Sequence, residues 1–161
     1  MKSKKLMAAL SALTLGATMM GGMAMTANAA TVTDSTDSVV GDCSFYRYKN
    51  NAWSAAPYGM DDGNITDAFL NDDGTITLYF DFSTYYVMGF LPVTGGIADV
   101  SGEAVVEKGE DEDGDGCLDW ATINPDTGFS LTICDTNGNT NIAFGLMPNP
   151  ITVKLVYTAN S

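Results

Sequence analysis

The chain has 161 residues, with 20 Asp and Glu, seven Lys and Arg, and no His. This length suits one domain of ordinary size. The absence of His excludes a Ser-His-Asp triad, a His-ligated zinc and haem held by a proximal His. The formal net charge of −13 argues against nucleic-acid binding, because too few cations face the phosphates.

The first 29 residues have the pattern of an export signal. Lys2, Lys4 and Lys5 precede an apolar run, and residues 27–29 spell the Ala-Asn-Ala form of a cleavage site. We predict a signal peptide over 1–29, a secreted or cell-surface protein, and a mature chain with no membrane span. The Thr-, Ser- and Asp-rich stretch 30–40 is predicted to be a disordered N-terminal segment.

From residue 41 onward the pattern is one of short strands. Apolar side chains alternate with polar ones over 76–82, 129–134 and 151–157, which is the period of a half-buried strand. We predict an all-β sandwich or barrel over 41–158. Its other predicted features are strands near 43–49, 63–70, 85–91 and 97–107, turns at 71–74, 94–96 and 124–128, and a short helix or turn over 53–58.

Three cysteines in an exported chain favour one disulfide. A turn centred between Pro125 and Asp126 would place Cys117 opposite Cys134 on a hairpin, so we predict a bridge between these two. The alternative is that all three cysteines are reduced and serve as small side chains.

An acidic run carries the spacing of a calcium loop. Asp111, Asp113, Asp115 and Asp119 fit ligand positions 1, 3, 5 and 9, and a glycine follows Asp115. Position 12 is Thr122 and not the bidentate Glu of such loops. A weak Ca²⁺ site and a solvated acidic turn therefore both stay open.

Catalysis is not expected. Without His, and with Lys nearly absent, no pairing of a nucleophile with a base can be drawn, and most carboxylates lie in predicted turns where solvation explains them.

Two segments resemble the streptococcal cell-surface haem-binding protein family Shp. The first runs from Tyr58 to Phe80 and contains Met60 in a Gly-Met stretch, then Asp-Ala, a turn and a strand ending in Phe. The second, 141–157, carries Met147 just before the last long strand. The resemblance covers roughly 41–158.

This resemblance implies an immunoglobulin-like (NEAT-like) antiparallel β-sandwich of about eight strands that binds b-type haem non-covalently. It implies that the sulfurs of Met60 and Met147 ligate the haem iron. It also implies that the protein passes haem to other surface haem-relay proteins or to an importer lipoprotein.

The residues themselves also favour methionine as the ligand of a haem iron. Thioether sulfur is a soft ligand that haem iron accepts, and Met leads among the candidates in a chain without His, with Tyr and Cys still open. Four apolar or aromatic residues close in sequence to the two methionines are the predicted walls of the haem pocket. They are Trp53, Tyr58, Phe144 and Leu146.

A second function fits the same fold class, because sandwiches host many activities. The protein would be a non-catalytic secreted adhesion or structural module, stabilised by Ca²⁺, with exposed Trp53, Tyr85 and Tyr86 contacting a partner or glycan.

Overall fold

The fold is built from β-strands, in agreement with the all-β prediction. The structure, a computed structural model, describes residues 29–58, 64–87, 89–145 and 148–161. A short 3₁₀ helix spans Ile142–Gly145. The strands are β1 (Ala30–Thr33), β2 (Val39–Lys49), β3 (Ala52–Trp53), β4 (Ile65–Leu70), β5 (Ile76–Phe80), β6 (Ser83–Val87), β7 (Leu91–Ser101), β8 (Val105–Lys108), β9 (Trp120–Ile123), β10 (Gly128–Asp135) and β11 (Ile151–Ala159).

The strands form one mixed sheet. Its order is β6-β7-β10-β11-β2-β1-β4-β5-β9-β8, with β3 paired to β2. β1 is antiparallel to β2 and parallel to β4, and it therefore connects the β6–β2 half to the β4–β8 half. The pairing of β11 with β2 joins residues that are more than a hundred positions apart, such as Val153 and Arg47.

The sheet curls so that its two halves enclose one apolar core. The backbone N–H of Leu118, just before β9, donates to the carbonyl of Ile97 on β7 over 2.7 Å, which ties regions near opposite ends of the strand order. Core side chains come from both halves by the predicted alternation. They include Phe45, Ile76, Leu78, Ile97, Ile123, Phe129, Ile133, Val153 and Leu155.

The finer features predicted from the sequence are confirmed only in part. The strands predicted over 76–82, 129–134 and 151–157 are present as β5, β10 and β11. Eleven strands lie in the described residues, and the immunoglobulin-like arrangement of about eight strands stays a prediction. The segment 53–58 continues from β3 into bends and not into a helix. The predicted signal peptide falls outside the described residues except for its last position, Ala29.

Three local predictions are wrong for tertiary reasons. Residues 30–40 are not wholly disordered, because Ala30–Thr33 forms β1 between β2 and β4 and buries Val32. The glycine pair at 95–96 is not a turn but lies inside β7, which pairs there with both β6 and β10. β9 and β10 are not a hairpin, since β9 pairs with β5 and β8.

Candidate functional site

The predicted iron ligands lie outside the residues that the structure describes. Met60, Met147 and Leu146 belong to the omitted positions, and of Phe144 only the backbone is described, within the 3₁₀ helix. The described neighbours of these positions are Tyr58, which precedes the first segment, and the chain on either side of the second.

Tyr58 lies at the edge of the core beside a cation. Its backbone N–H donates to the carbonyl of Phe45 over 2.6 Å. The guanidinium of Arg47 stands 5.1 Å from the centre of the Tyr58 ring, and its Nη1 donates to the Tyr58 hydroxyl over 3.4 Å. Tyr58 also lines a small internal cavity of about 10 Å³ together with Asn64, Ile65 and Leu78.

Trp53 lies on the other face of β2. Its indole packs edge-on against Tyr48 with ring centres 5.1 Å apart, and the Lys154 ammonium lies 5.1 Å from the indole. Side chains alternate along a strand, so Tyr48 points away from the side occupied by Phe45 and Arg47. Of the four predicted wall residues, the two described ones are therefore not brought together.

Two asparagines that no sequence pattern singled out anchor the described chain shortly after each methionine in sequence. Asn64, only 2% exposed, donates from Nδ2 to the carbonyl of Asp81 over 2.7 Å and to that of Gly95 over 2.9 Å. Asn149 accepts the N–H of Ile133 over 2.9 Å and donates to its carbonyl over 2.7 Å. Both anchors thus meet adjoining strands, since Gly95 lies on β7 and Ile133 on β10.

These two contact points are close along the sheet. In the β7–β10 ladder Gly95 pairs with Asp135, and Ile97 pairs with Ile133. The chain four residues after Met60 and the chain two residues after Met147 are therefore fixed to neighbouring positions of one strand pair. The side-chain oxygen of Asn64 has no hydrogen-bond partner among the described residues.

The acidic run brings together three of its four predicted calcium ligands. Carboxylate oxygens of Asp111, Asp113 and Asp115 lie within 4.8 Å of one another, close enough to share one cation. Asp119 is not in this group, and its carboxylate accepts the N–H of Glu112 over 2.8 Å. Backbone N–H groups of the loop already occupy part of this acidic group, because the Asp111 carboxylate accepts hydrogen bonds from those of residues 114, 115 and 116.

Electrostatics in this loop oppose full ionisation. Partial burial, followed by the nearby carboxylates of Asp113, Asp111 and Asp119, raises the pKa of Asp115 above its usual value. A backbone hydrogen bond from Cys117 acts in the opposite direction without cancelling this rise. A bound cation would relieve the repulsion, but the cluster by itself does not identify one.

Cys117 and Cys134 meet although the predicted hairpin does not exist. All three cysteines are described, each carries a thiol, and all are buried. The Cys117 thiol is hydrogen-bonded to Cys134, and burial followed by this bond raises the pKa of Cys117 far above its ordinary value. Gly96, which pairs with Cys134, makes room: a Cβ there would stand 2.5 Å from the Cys117 sulfur.

A groove of about 390 Å³ lies on the outer face of β5, β9 and β8. Tyr79 and Trp120 are cross-strand partners there, and the hydroxyls of Thr77 and Thr122 are hydrogen-bonded over 2.8 Å. Trp120 covers Gly109, where a Cβ would stand 2.3 Å from Nε1, so the close approach of the indole requires glycine at that position.

Comparisons of the chain with protein families, with curated proteins and with solved structures find no match. Among the described residues, no helix has the length and apolar character needed to cross a membrane.

Proposed function

We propose that this protein binds haem at the cell surface or in the extracellular space, with Met60 and Met147 as the two iron ligands. The observation that carries the proposal is the anchoring of the described chain that follows each methionine in sequence. Asn64 and Asn149 hold the chain just after each methionine against adjoining positions of β7 and β10. We propose that the sulfurs of the two methionines bind opposite faces of one porphyrin.

The cavity in the described part of the core is too small for the ligand. It measures about 10 Å³, which has room for one water molecule and not for a porphyrin. Haem would therefore lie outside the core, between the two anchored segments, with Tyr58, Phe144 and Leu146 as the nearest apolar contacts. Trp53 is a weaker candidate because it packs on the opposite face of β2.

Charge near Tyr58 suits an anionic ligand. From residue 29 onward the chain has only four cations, Arg47, Lys49, Lys108 and Lys154, against all 20 acidic residues. Lys108 is paired with Asp99. Arg47 stands on the Tyr58 side of β2, where it would offset the charge of the haem propionates while the rest of the surface repels them.

The direct test is a titration of the purified full-length chain with haemin. We expect a Soret band that saturates at one haem per chain and a low-spin spectrum, because two thioether ligands occupy both axial positions. Met60→Ala and Met147→Ala should each keep haem but shift the spectrum toward high spin, and the double variant should lose haem much faster. Met88→Ala is the matched control, since it removes a thioether at a position outside both methionine segments of the sequence.

The outcomes of the titration test haem binding and the role of each methionine separately. If haemin produces no spectral change, haem binding is excluded. If a low-spin spectrum survives in either single variant, that methionine is not a ligand. Transfer to other surface haem-relay proteins or to an importer lipoprotein is proposed on the same basis and depends on this binding.

A second candidate function is favoured by the outer groove. A non-catalytic adhesion module would use Tyr79 and Trp120 to stack against a sugar ring, while Thr77, Thr122 and Asn71 hydrogen-bond its hydroxyls. Calorimetry with neutral oligosaccharides tests this candidate. Trp120→Ala should abolish the heat of binding, and Phe90→Ala, which removes an exposed aromatic outside the groove, should leave it unchanged.

A further inference from the structure

The contact between Cys117 and Cys134 depends on a glycine that leaves room for one of the two sulfurs. Cys134 is fully buried on β10, and Cys117 is 7% exposed. The sulfur of Cys117 occupies the space above Gly96, the cross-strand partner of Cys134. A thiol from outside the strand pair therefore takes the place of a missing side chain and meets the neighbouring thiol directly.

The chain around Cys117 closes over this contact. The N–H of Cys117 donates to the Asp115 carboxylate over 2.9 Å, and the N–H of Leu118 donates to the carbonyl of Ile97 over 2.7 Å. In the folded state an external reagent reaches Cys134 only if this segment opens.

We propose that Cys117 and Cys134 are the site of a disulfide that forms in an oxidising compartment before segment 109–119 closes, and that latches this segment to β7 and β10. The oxidant is an external disulfide, either a small molecule or an oxidoreductase. One thiolate attacks it to give a mixed disulfide and releases one external thiol. The second cysteine then displaces the other external thiol, so two protons and two electrons leave the chain.

Cys43 cannot take part in this bond. It lies on β2, two strands from β10, and pairs with Tyr157, whereas Leu131 on β10 pairs with Ile151. Cys134 lies three residues beyond Leu131 in the direction away from Tyr157, so Cys43 and Cys134 are separated by about 10 Å across the sheet and about 30 Å along it. A disulfide requires Cβ atoms about 4 Å apart, so Cys43 is the matched control.

The first test refolds the reduced, denatured full-length chain in a glutathione redox buffer and maps its disulfides by non-reducing peptide mass spectrometry. We expect a Cys117–Cys134 linked peptide, also in Cys43→Ser, and a thermal midpoint that falls by about 10 °C on reduction. A product in which Cys117 and Cys134 are both alkylated, or a bridge that includes Cys43, overturns the proposal.

The second test addresses the order of events. The chain is refolded under reducing conditions and then exposed to oxidised glutathione, with and without denaturant. Because both cysteines are buried, we expect the bridge to form at least about 100-fold more slowly in the folded state. Equal rates in the two conditions would overturn the claim that the bond precedes closure. The haemin titration has no bearing on either result.

Discussion

The side-chain amide of Asn149 pairs with Ile133 as a neighbouring strand residue would. Its oxygen accepts the Ile133 N–H over 2.9 Å and its nitrogen donates to the Ile133 carbonyl over 2.7 Å. The same nitrogen donates to the carbonyl of Thr140 over 2.6 Å. One side chain thus satisfies backbone groups of β10 beyond the point where β11 stops pairing with that strand.

This arrangement predicts that Asn149→Asp is strongly destabilising. The substitution turns a donor into a second acceptor facing two carbonyl oxygens, and we expect the free energy of unfolding to fall by about 2 kcal/mol. Chemical denaturation measures it. Asn124→Asp makes the same change at an exposed position and should cost much less. Equal losses in both variants would mean that the amide is not acting as a strand partner.

A second prediction concerns Gly96. In Gly96→Ala the new Cβ would come within 2.5 Å of the Cys117 sulfur and 3.1 Å of the Phe82 ring, so the cysteine contact must open. We expect a loss of about 1–3 kcal/mol in the free energy of unfolding. Cys117→Ala in the same background removes the sulfur and should recover part of that loss. A double variant no more stable than Gly96→Ala would show that the clash lies elsewhere.

A third prediction is a pH dependence at the end of β10. The side chain and then the backbone of Asn139, followed by the backbone of Asn137, hydrogen-bond the Asp135 carboxylate and lower its pKa from 3.8. Because the folded-state pKa is depressed, this stabilisation is present above about pH 4 and is lost as the pH falls through the folded pKa. Asp135→Asn should lower the thermal midpoint at pH 7, and the difference should vanish in strong acid.

The control for charge is Asp72→Asn, which removes the same charge from an exposed turn. The comparison at each pH is made between the two variants, since any lost negative charge reduces repulsion in so acidic a chain. Thermal midpoints of Asp135→Asn that match those of Asp72→Asn at pH 7 would contradict the prediction.

A fourth prediction has the opposite sign. The pKa of Asp115 is raised, so its ionised form is disfavoured in the fold, and this cost appears as the pH rises above 3.8 and persists at neutral pH. Asp115→Asn should therefore raise the thermal midpoint at pH 7 relative to Asp72→Asn, and should not do so near pH 3.

Millimolar Ca²⁺ extends this test to the choice between a weak Ca²⁺ site and a solvated acidic turn. By neutralising the same cluster it should raise the midpoint of the unmodified chain at pH 7 and raise that of Asp115→Asn less. A NaCl series at matched ionic strength accounts for screening. A Ca²⁺ response that is the same in both proteins would mean that the cation is not held by this cluster.

The sequence predicts those features of the fold that depend on local alternation. Ile76, Leu78 and Phe80 point inward on β5 because every second residue faces the same side of a strand. β1 escapes prediction because its four residues include a single buried one, Val32, and because it pairs with strands at two distant places in the chain. Its stability comes from its partners and not from its composition.

The glycine pair and the cysteines also depend on contacts between distant segments, which local sequence does not reveal. Gly95 and Gly96 have the local signature of a turn, but the second glycine is required inside β7 by a sulfur that arrives from another segment. The pairing of Cys117 with Cys134 was predicted from a hairpin that does not form, and only the curl of the sheet brings the two thiols together. Neither fact can be read from neighbouring residues.

The residues of the candidate site also divide into those that the sequence could identify and those that it could not. The methionines could be singled out because their side-chain chemistry suits haem iron in a chain without His. Asn64 and Asn149 could not, since an asparagine beside glycine or proline ordinarily indicates a turn. Their role depends on backbone groups of β7 and β10 that lie far away in sequence.

The position of Cys43 between the first and the last of the described strands has a mechanical consequence. Cys43 pairs with Ala30 of β1 on one side of β2 and with Tyr157 of β11 on the other. Both strands run antiparallel to β2, so tension applied at the start of β1 and at the end of β11 pulls them in opposite directions along it. The hydrogen bonds of both ladders, perpendicular to the strands, then carry the load together and cannot open one after another. A domain strung between two attachment points by these strands would resist stretching far better than one pulled apart as a hairpin.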